Sequence, residues 1–314
     1  MPLDLLYIIS GLILLPLGAE GLVRGSTVLA LRLGVTALAV GLTIVAFGTG
    51  SPELALSVEA ARAGNSGIAL GNVVGSNISN IALVLGLAAL VKPMSVRSEL
   101  IRREMPLMIG VTVLLCGLLI DGQLSRLDGL ILVIGAFTYT GLSFMWARRG
   151  DTKTVATEFD EALDGSRRPL WFHALLVIAG LVALVGGANF LLKGAVSIAT
   201  KFGVSEVVIG LSVIAVGTSL PELATSVTSS LRNEPDVAFG NVIGSNIFNI
   251  LAVLGAAALI RPFHVEGLRV VDVAVLIASS VLLLPLMWRG SVLNRWEGAA
   301  LLTGYAIYLY SIFA

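Results

Sequence analysis

Two carboxylates lie inside apolar segments of a length that suits membrane helices. Glu53 closes the run Gly48-Thr49-Gly50-Ser51-Pro52-Glu53, and Glu222 closes Gly217-Thr218-Ser219-Leu220-Pro221-Glu222. Burying a charged group at membrane depth costs several kcal/mol, so an ionisable residue there marks a functional site by default. The prolines carry no N–H, so the carbonyls four residues before them lose their helical partners. A freed carbonyl, a carboxylate and a threonine hydroxyl together make a cluster of hard oxygen donors. Such donors suit Ca²⁺ and Na⁺; transition metals take imidazole or thiolate. The two histidines, His173 and His264, fall near span ends, and the single cysteine, Cys116, lies in an apolar run.

A second motif follows each of the first. Gly71-Asn72-Val73-Val74-Gly75-Ser76-Asn77-Ile78-Ser79-Asn80 recurs as Gly240-Asn241-Val242-Ile243-Gly244-Ser245-Asn246-Ile247-Phe248-Asn249. Asn72, Ser76 and Asn80 are four residues apart and share one helix face, as do Asn241, Ser245 and Asn249. These side chains are placed to complete an oxygen cage opposite the broken helices. The paired glycines of this motif are expected to let another backbone come close.

The elements that position these residues are read from hydropathy. The chain has 314 residues, 56% hydrophobic and 13% charged; a soluble domain would be about a quarter charged. About ten spans follow from the roughly 20 residues a helix needs to cross the hydrocarbon: 3–31, 35–61, 68–91, 105–120, 127–146, 170–200, 204–231, 237–260, 270–288 and 296–313. The first span lacks a basic leader and reads as a retained helix. Residues 148–169 hold ten charged groups within or just beside them and read as a linker between two units, 1–147 and 170–314.

The second unit repeats the first. A shift of 169 places 41–93 on 210–262 without a gap, with roughly half the positions identical. The repeat is five spans, an odd number, so the second copy must insert upside down. The expected fold is therefore an all-α polytopic membrane protein of two five-helix inverted repeats, the arrangement of many secondary transporters, with the site at the midplane. With the N-terminus outside, inward loops collect fourteen of the twenty Lys and Arg residues, including Lys92, Arg97, Arg102 and Arg103. The positive-inside rule then sets the linker in the cytoplasm of a plasma or inner membrane.

If Glu53 and Glu222 meet across the pseudo-two-fold at roughly 5 Å, their repulsion is about 3 kcal/mol at an effective dielectric of about 20. A proton, one Ca²⁺ or more than one Na⁺ would relieve it. Competition of these ions for one carboxylate pair is a physical basis for exchange. The partners expected are thus Ca²⁺ and Na⁺, or H⁺ and other cations, and the lipid bilayer. The formal net charge of zero points to no nucleic acid. No protein partner and no cofactor are indicated. Three readings stand: Na⁺/Ca²⁺ antiport, H⁺/cation antiport, and a membrane enzyme such as a lipid phosphatase. The enzyme would need Arg or His beside the carboxylates, and neither motif supplies one.

These paired motifs resemble the sodium/calcium exchanger branch of the calcium/cation antiporter superfamily, in its prokaryotic form with two alpha-repeats. The resemblance implies a ten-span inverted fold over the whole chain and a transporter, not an enzyme. It implies that Glu53 and Glu222 share Ca²⁺, with carbonyls from Thr49 and Thr218. Its Na⁺ sites correspond to Ala46, Thr49, Glu53 and Ser76 in one half, and to Ala215, Thr218, Ser219, Glu222 and Ser245 in the other. Asn80 and Asn249 would lie beside the central site. Gly50 stands where the family's first motif has serine, and Asn249 where potassium-dependent relatives have aspartate. A neutral Asn80/Asn249 pair leans toward potassium-independent exchange.

Overall fold

The computed structural model describes residues 2–32, 34–149, 168–203, 215–265, 268–288 and 290–313. Most of the expected linker and the start of the seventh expected span, 204–214, lie outside the described residues. In a bilayer every backbone polar group must be satisfied internally, which leaves helices as the means of crossing for a chain of this pattern. The first half runs through α1 (Pro2–Arg32), α2 (Ala37–Thr49), α3 (Ser51–Ala63), α4 (Ser66–Val91), α5 (Met105–Leu118) and α6 (Arg126–Arg149). The second runs through α7 (Leu170–Lys201), α8 (Ala215–Thr218), α9 (Leu220–Leu231), α10 (Pro235–Ile260), α11 (Val270–Trp288) and α12 (Arg295–Phe313). Among the described residues, six helices are long and apolar enough to cross a membrane, and the bent pair α2–α3 makes a seventh.

The helices fall into two environments. Helices α4 and α10 form the centre, and their apolar windows are 78% and 72% buried. They carry the largest buried side chains, among them Leu70, Ile78, Ile81, Leu85 and Phe239. Helices α1 and α7 lie at the periphery, with only 33% and 28% of their windows buried. Leu6, Ile9, Ile13 and Leu17 of α1 and Ile178 and Val182 of α7 are exposed, as lipid-facing side chains should be.

The peripheral pair packs antiparallel through glycine. A Cβ at Gly18 would lie 2.7 Å from the Leu184 nitrogen, and one at Gly180 would lie 2.6 Å from that of Leu22. No residue with a side chain permits that approach, the usual role of small residues between membrane helices. One end of the pair is tied by Asp4, which accepts from Ser197 Oγ at 2.7 Å and pairs with Lys201. Glu20 of α1 pairs with Arg24 at 2.7 Å and with Arg232 at the end of α9. This carboxylate is structural, an ionic tie from the periphery to the centre.

Two short antiparallel ribbons join the halves. In one, β1 (Met94–Ser95) pairs with β4 (Val292–Leu293), Met94 opposite Leu293. In the other, β2 (Gln123–Leu124) pairs with β3 (Phe263–His264), Gln123 opposite His264. Each ribbon takes one strand from either half.

Candidate cation-binding site

The site begins at two helix breaks. Helix α2 ends at Thr49 and α3 begins at Ser51, with axes bent by 46° about Gly50. Pro52 sits in the first turn of α3, where a missing N–H costs nothing. The same sequence logic ends α8 at Thr218 and starts α9 at Leu220, with Pro221 in its first turn. Each break therefore delivers its glutamate to a first helical turn: Glu53 in α3 and Glu222 in α9. The positive end of the helix dipole favours a carboxylate there.

Both carboxylates are deeply buried, each residue 1% exposed. They lie close enough for Glu222 to repel Glu53 electrostatically, Ser76 lies beside Glu53, and Thr49 lies beside Glu222. One oxygen of Glu53 and both oxygens of Glu222 accept no hydrogen bond among the described residues. Neither has a cationic partner there. No group of three or more His, Cys, Asp or Glu side chains converges among those residues. A cation held here would therefore rest on two carboxylates and on neutral oxygens.

The neutral oxygens come from α4 and α10. Asn72 Nδ2 donates to the Glu53 carbonyl at 3.3 Å and to Ser57 Oγ at 2.9 Å. Asn241 Nδ2 donates to the Glu222 carbonyl at 3.3 Å and to Ser226 Oγ at 3.1 Å. Each asparagine thus clamps the start of the glutamate-bearing helix in its own half. Thr49 Oγ1 then crosses the halves, donating to Asn241 Oδ1 at 3.0 Å.

A reciprocal set of bonds joins α4 to α10. Asn77 Nδ2 donates to the Asn246 carbonyl at 3.1 Å, and Asn246 Nδ2 to the Asn77 carbonyl at 3.4 Å. Asn80 Nδ2 donates to Asn246 Oδ1, and Asn249 Nδ2 to Asn77 Oδ1, both at 3.1 Å. These bonds occupy the amide nitrogens of Asn80 and Asn249. Their Oδ1 atoms remain buried and accept no hydrogen bond among the described residues, as does Ser245 Oγ. Asn80 and Asn249 each open a π-helical turn, Asn80–Leu85 and Asn249–Leu254. Wide turns of this kind are frequent at functional sites.

Most of the residues expected from the sequence are buried. Ala46, Thr49, Glu53, Ser76, Asn80, Thr218, Ser219, Glu222, Ser245 and Asn249 are all buried, and Ala215 begins α8. Gly240 and Gly244 do admit a close backbone: Cβ atoms there would lie 2.8 Å from the Leu38 carbonyl oxygen and 2.5 Å from that of Leu42. The segment that the repeat would set against Gly71 and Gly75 falls in 204–214, outside the described residues. Sequence reasoning gave no role to Asn77 and Asn246, which cross-brace the centre. Their signal was a polar residue repeated at the same offset inside an apolar run.

A profile of the family described as "Sodium/calcium exchanger protein" matches residues 3–145 and 172–314. The chain is 40% identical to "Putative antiporter CaxA" of Alkalimonas amylolytica, over 98% of each chain. It is 32% identical to "Sodium/calcium exchanger MaX1" of Methanosarcina acetivorans, over 99% of its own length and 98% of that relative's. It is also similar to a solved structure of the sodium-calcium exchanger NCX_Mj soaked with zero Na⁺ and Ca²⁺, with 34% identity, a TM-score of 0.84 and 99% of both chains covered.

Proposed function

Because the chain belongs to the sodium/calcium exchanger family, a family of membrane transporters and not of enzymes, we propose that it exchanges Na⁺ for Ca²⁺ by alternating access to one central site. The observation that carries this reading is the buried Glu53/Glu222 pair with oxygens left free and no cationic partner among the described residues. Two ionised carboxylates in a low-dielectric interior repel, and the empty pair is a poor state to carry across the membrane. One Ca²⁺ cancels both charges, and so do two Na⁺. Either load stabilises the closed site, so each ion crosses only when it replaces the other. Glu53 and Glu222 hold Ca²⁺ with the Thr49 and Thr218 carbonyls. Na⁺ is held by Ala46, Thr49, Glu53 and Ser76 in one half and by Ala215, Thr218, Ser219, Glu222 and Ser245 in the other, with Asn80 and Asn249 beside the centre. Hard oxygen donors of this kind match both ions.

The same reading takes the fold as ten spans in two inverted five-helix units, 1–147 and 170–314, with the N-terminus outside a plasma or inner membrane. The ribbons support it. Strands β1 and β2 belong to one half and are separated by one helix, α5; taken as one of the ten spans, it sets them on opposite membrane faces. Strand β3, the repeat of β1, pairs with β2, and β4, the repeat of β2, pairs with β1. Equivalent strands of the two halves therefore sit on opposite faces.

The test is Ca²⁺ flux in proteoliposomes. Radioactive Ca²⁺ uptake should follow an outward Na⁺ gradient and reverse with it. Uptake that ignores Na⁺ and follows a pH gradient would replace this reading with H⁺/Ca²⁺ antiport. That second reading draws on the same carboxylates, which can take protons because no Lys, Arg or His neutralises them among the described residues.

A further inference from the structure

The two breaks are built alike, but they are not flanked alike. At the second break, the break residue is Ser219, and Ser79 of α4 in the first half is the repeat counterpart of Phe248. Both residues are buried, at 2% and 1% exposure; neither hydroxyl makes a well-formed hydrogen bond among the described residues, and Ser79 lies beside the Tyr305 hydroxyl. At the first break the corresponding residues are Gly50 of the first half and Phe248 of the second. They touch: a Cβ at Gly50 would lie 3.2 Å from Phe248 Cδ1, 3.4 Å from Cε1 and 3.1 Å from the Ala46 carbonyl oxygen. The Phe248 ring is held edge-on by Phe47, with centroids 5.0 Å apart and planes at 68°. Phe47 is itself a departure, with Val216 as its counterpart.

Three substitutions between the copies therefore describe one spatial event. Phe47, Gly50 and Phe248 stand together at the first break, and Val216, Ser219 and Ser79 are their repeat counterparts. The absence of a side chain at Gly50 makes room for the ring, and a serine there would be crowded against it, its Cβ 3.2 Å from Phe248 Cδ1. At the first break two hydroxyls have been exchanged for an aromatic edge, which offers a hard cation no oxygen.

We propose that Phe248, seated on Gly50 and braced by Phe47, removes from the first break the further monovalent-ion position that hydroxyls at Gly50 and Phe248 would supply, beyond those held by Glu53 and Glu222, while Ser219 and its repeat-related partner Ser79 keep the equivalent position at the second break. The transporter then moves fewer Na⁺ per Ca²⁺ than two like breaks would allow, and Ser79 joins Ser219 as a residue that sets the coupling. This rests on the Na⁺/Ca²⁺ exchange reading.

The experiment measures Na⁺ dependence and charge movement during Ca²⁺ transport in proteoliposomes. The unsubstituted protein comes first: Ca²⁺ flux that ignores Na⁺ sinks the exchange reading, and this inference with it. Given Na⁺-driven flux, Gly50→Ser alone should slow transport and leave the Na⁺ Hill coefficient unchanged, because the new side chain is crowded by the ring that still lacks a hydroxyl. Gly50→Ser with Phe248→Ser should restore transport and raise the Na⁺ Hill coefficient by about one, since that coefficient is bounded by the number of sites. It should also increase the charge moved per Ca²⁺. Ser219→Gly, which adds no bulk and serves if the double variant does not fold, should lower the Na⁺ Hill coefficient. Na⁺-driven flux with an unchanged Hill coefficient in the double variant, or in Ser219→Gly, overturns the inference while leaving Na⁺/Ca²⁺ exchange intact.

Discussion

The central helices α4 and α10 and the peripheral helices α1 and α7 solve the same membrane problem in opposite ways. The peripheral pair approaches closely through small residues, whereas the glycines of α10, Gly240 and Gly244, admit α2. The central pair then fills its interface with asparagine, whose amides bond across at 3.1–3.4 Å. The peripheral pair places glycine against backbone and is tied at one end by Asp4 with Ser197 and Lys201. Amide pairing fixes the rotation of each central helix as well as its distance, and so holds Asn80 and Asn249 with their oxygens free. Glycine packing fixes distance and leaves sliding and rotation less constrained. The difference separates a region that must be chemically exact in orientation from one that must only stay close.

That contrast can be broken experimentally, and the largest effect belongs to the centre. Glu222→Gln or Glu53→Gln should abolish Ca²⁺ flux while the purified protein elutes as the parent does; retained flux would remove the carboxylate pair from the site. Asn246→Ala removes the acceptor of Asn80 and a donor to the Asn77 carbonyl. Leaving buried partners unsatisfied costs about 1–3 kcal/mol each, so both melting temperature and Ca²⁺ affinity should fall together. At the periphery, Gly180→Ala places a Cβ 2.6 Å from the Leu22 nitrogen and 2.8 Å from the Gly18 carbonyl oxygen. Overpacking of this kind costs about 1–3 kcal/mol. Here melting temperature should fall with equilibrium Ca²⁺ affinity unchanged. Equal losses of affinity in both variants would erase the distinction between the two regions.

The smallest effect concerns the mouth of the central pair. Glu234, just before α10, is pushed from its ordinary 4.5 to about 7, first by burial and then by Asp236, against the opposing pull of Arg232 and Arg97. A carboxyl that binds its proton more tightly folded than unfolded stabilises the fold fully below the unfolded value. That contribution is lost as pH rises through the folded one. Melting temperature should therefore decline gently between about pH 4.5 and 7, and Glu234→Gln should flatten the decline.

Much of this arrangement was legible in the sequence. The helix breaks followed from Pro52 and Pro221, because a missing N–H is a local fact. The span at 270–288 coincides with α11, because its hydropathy runs uninterrupted between polar ends. The meeting of Glu53 and Glu222 followed from the repeat. The asparagine pairing did not follow, because face assignments from a 3.6-residue period fail where Asn80 and Asn249 open wider turns. Nor could Gly50 be matched with Phe248, since nothing local links a missing side chain to a ring on a helix of the other half.

The two ribbons carry a consequence for how the chain is made. Each needs one strand from early in synthesis and one from late. The first half therefore enters the membrane with both of its strands single and its half of the asparagine lattice unpaired. Contacts so distant in sequence form late and slowly. The nascent protein waits, incomplete at both surfaces and at its centre, until the last helices arrive. What closes it is complementarity between halves, so residues 1–149 and 168–314 supplied as two separate chains should find each other and co-purify.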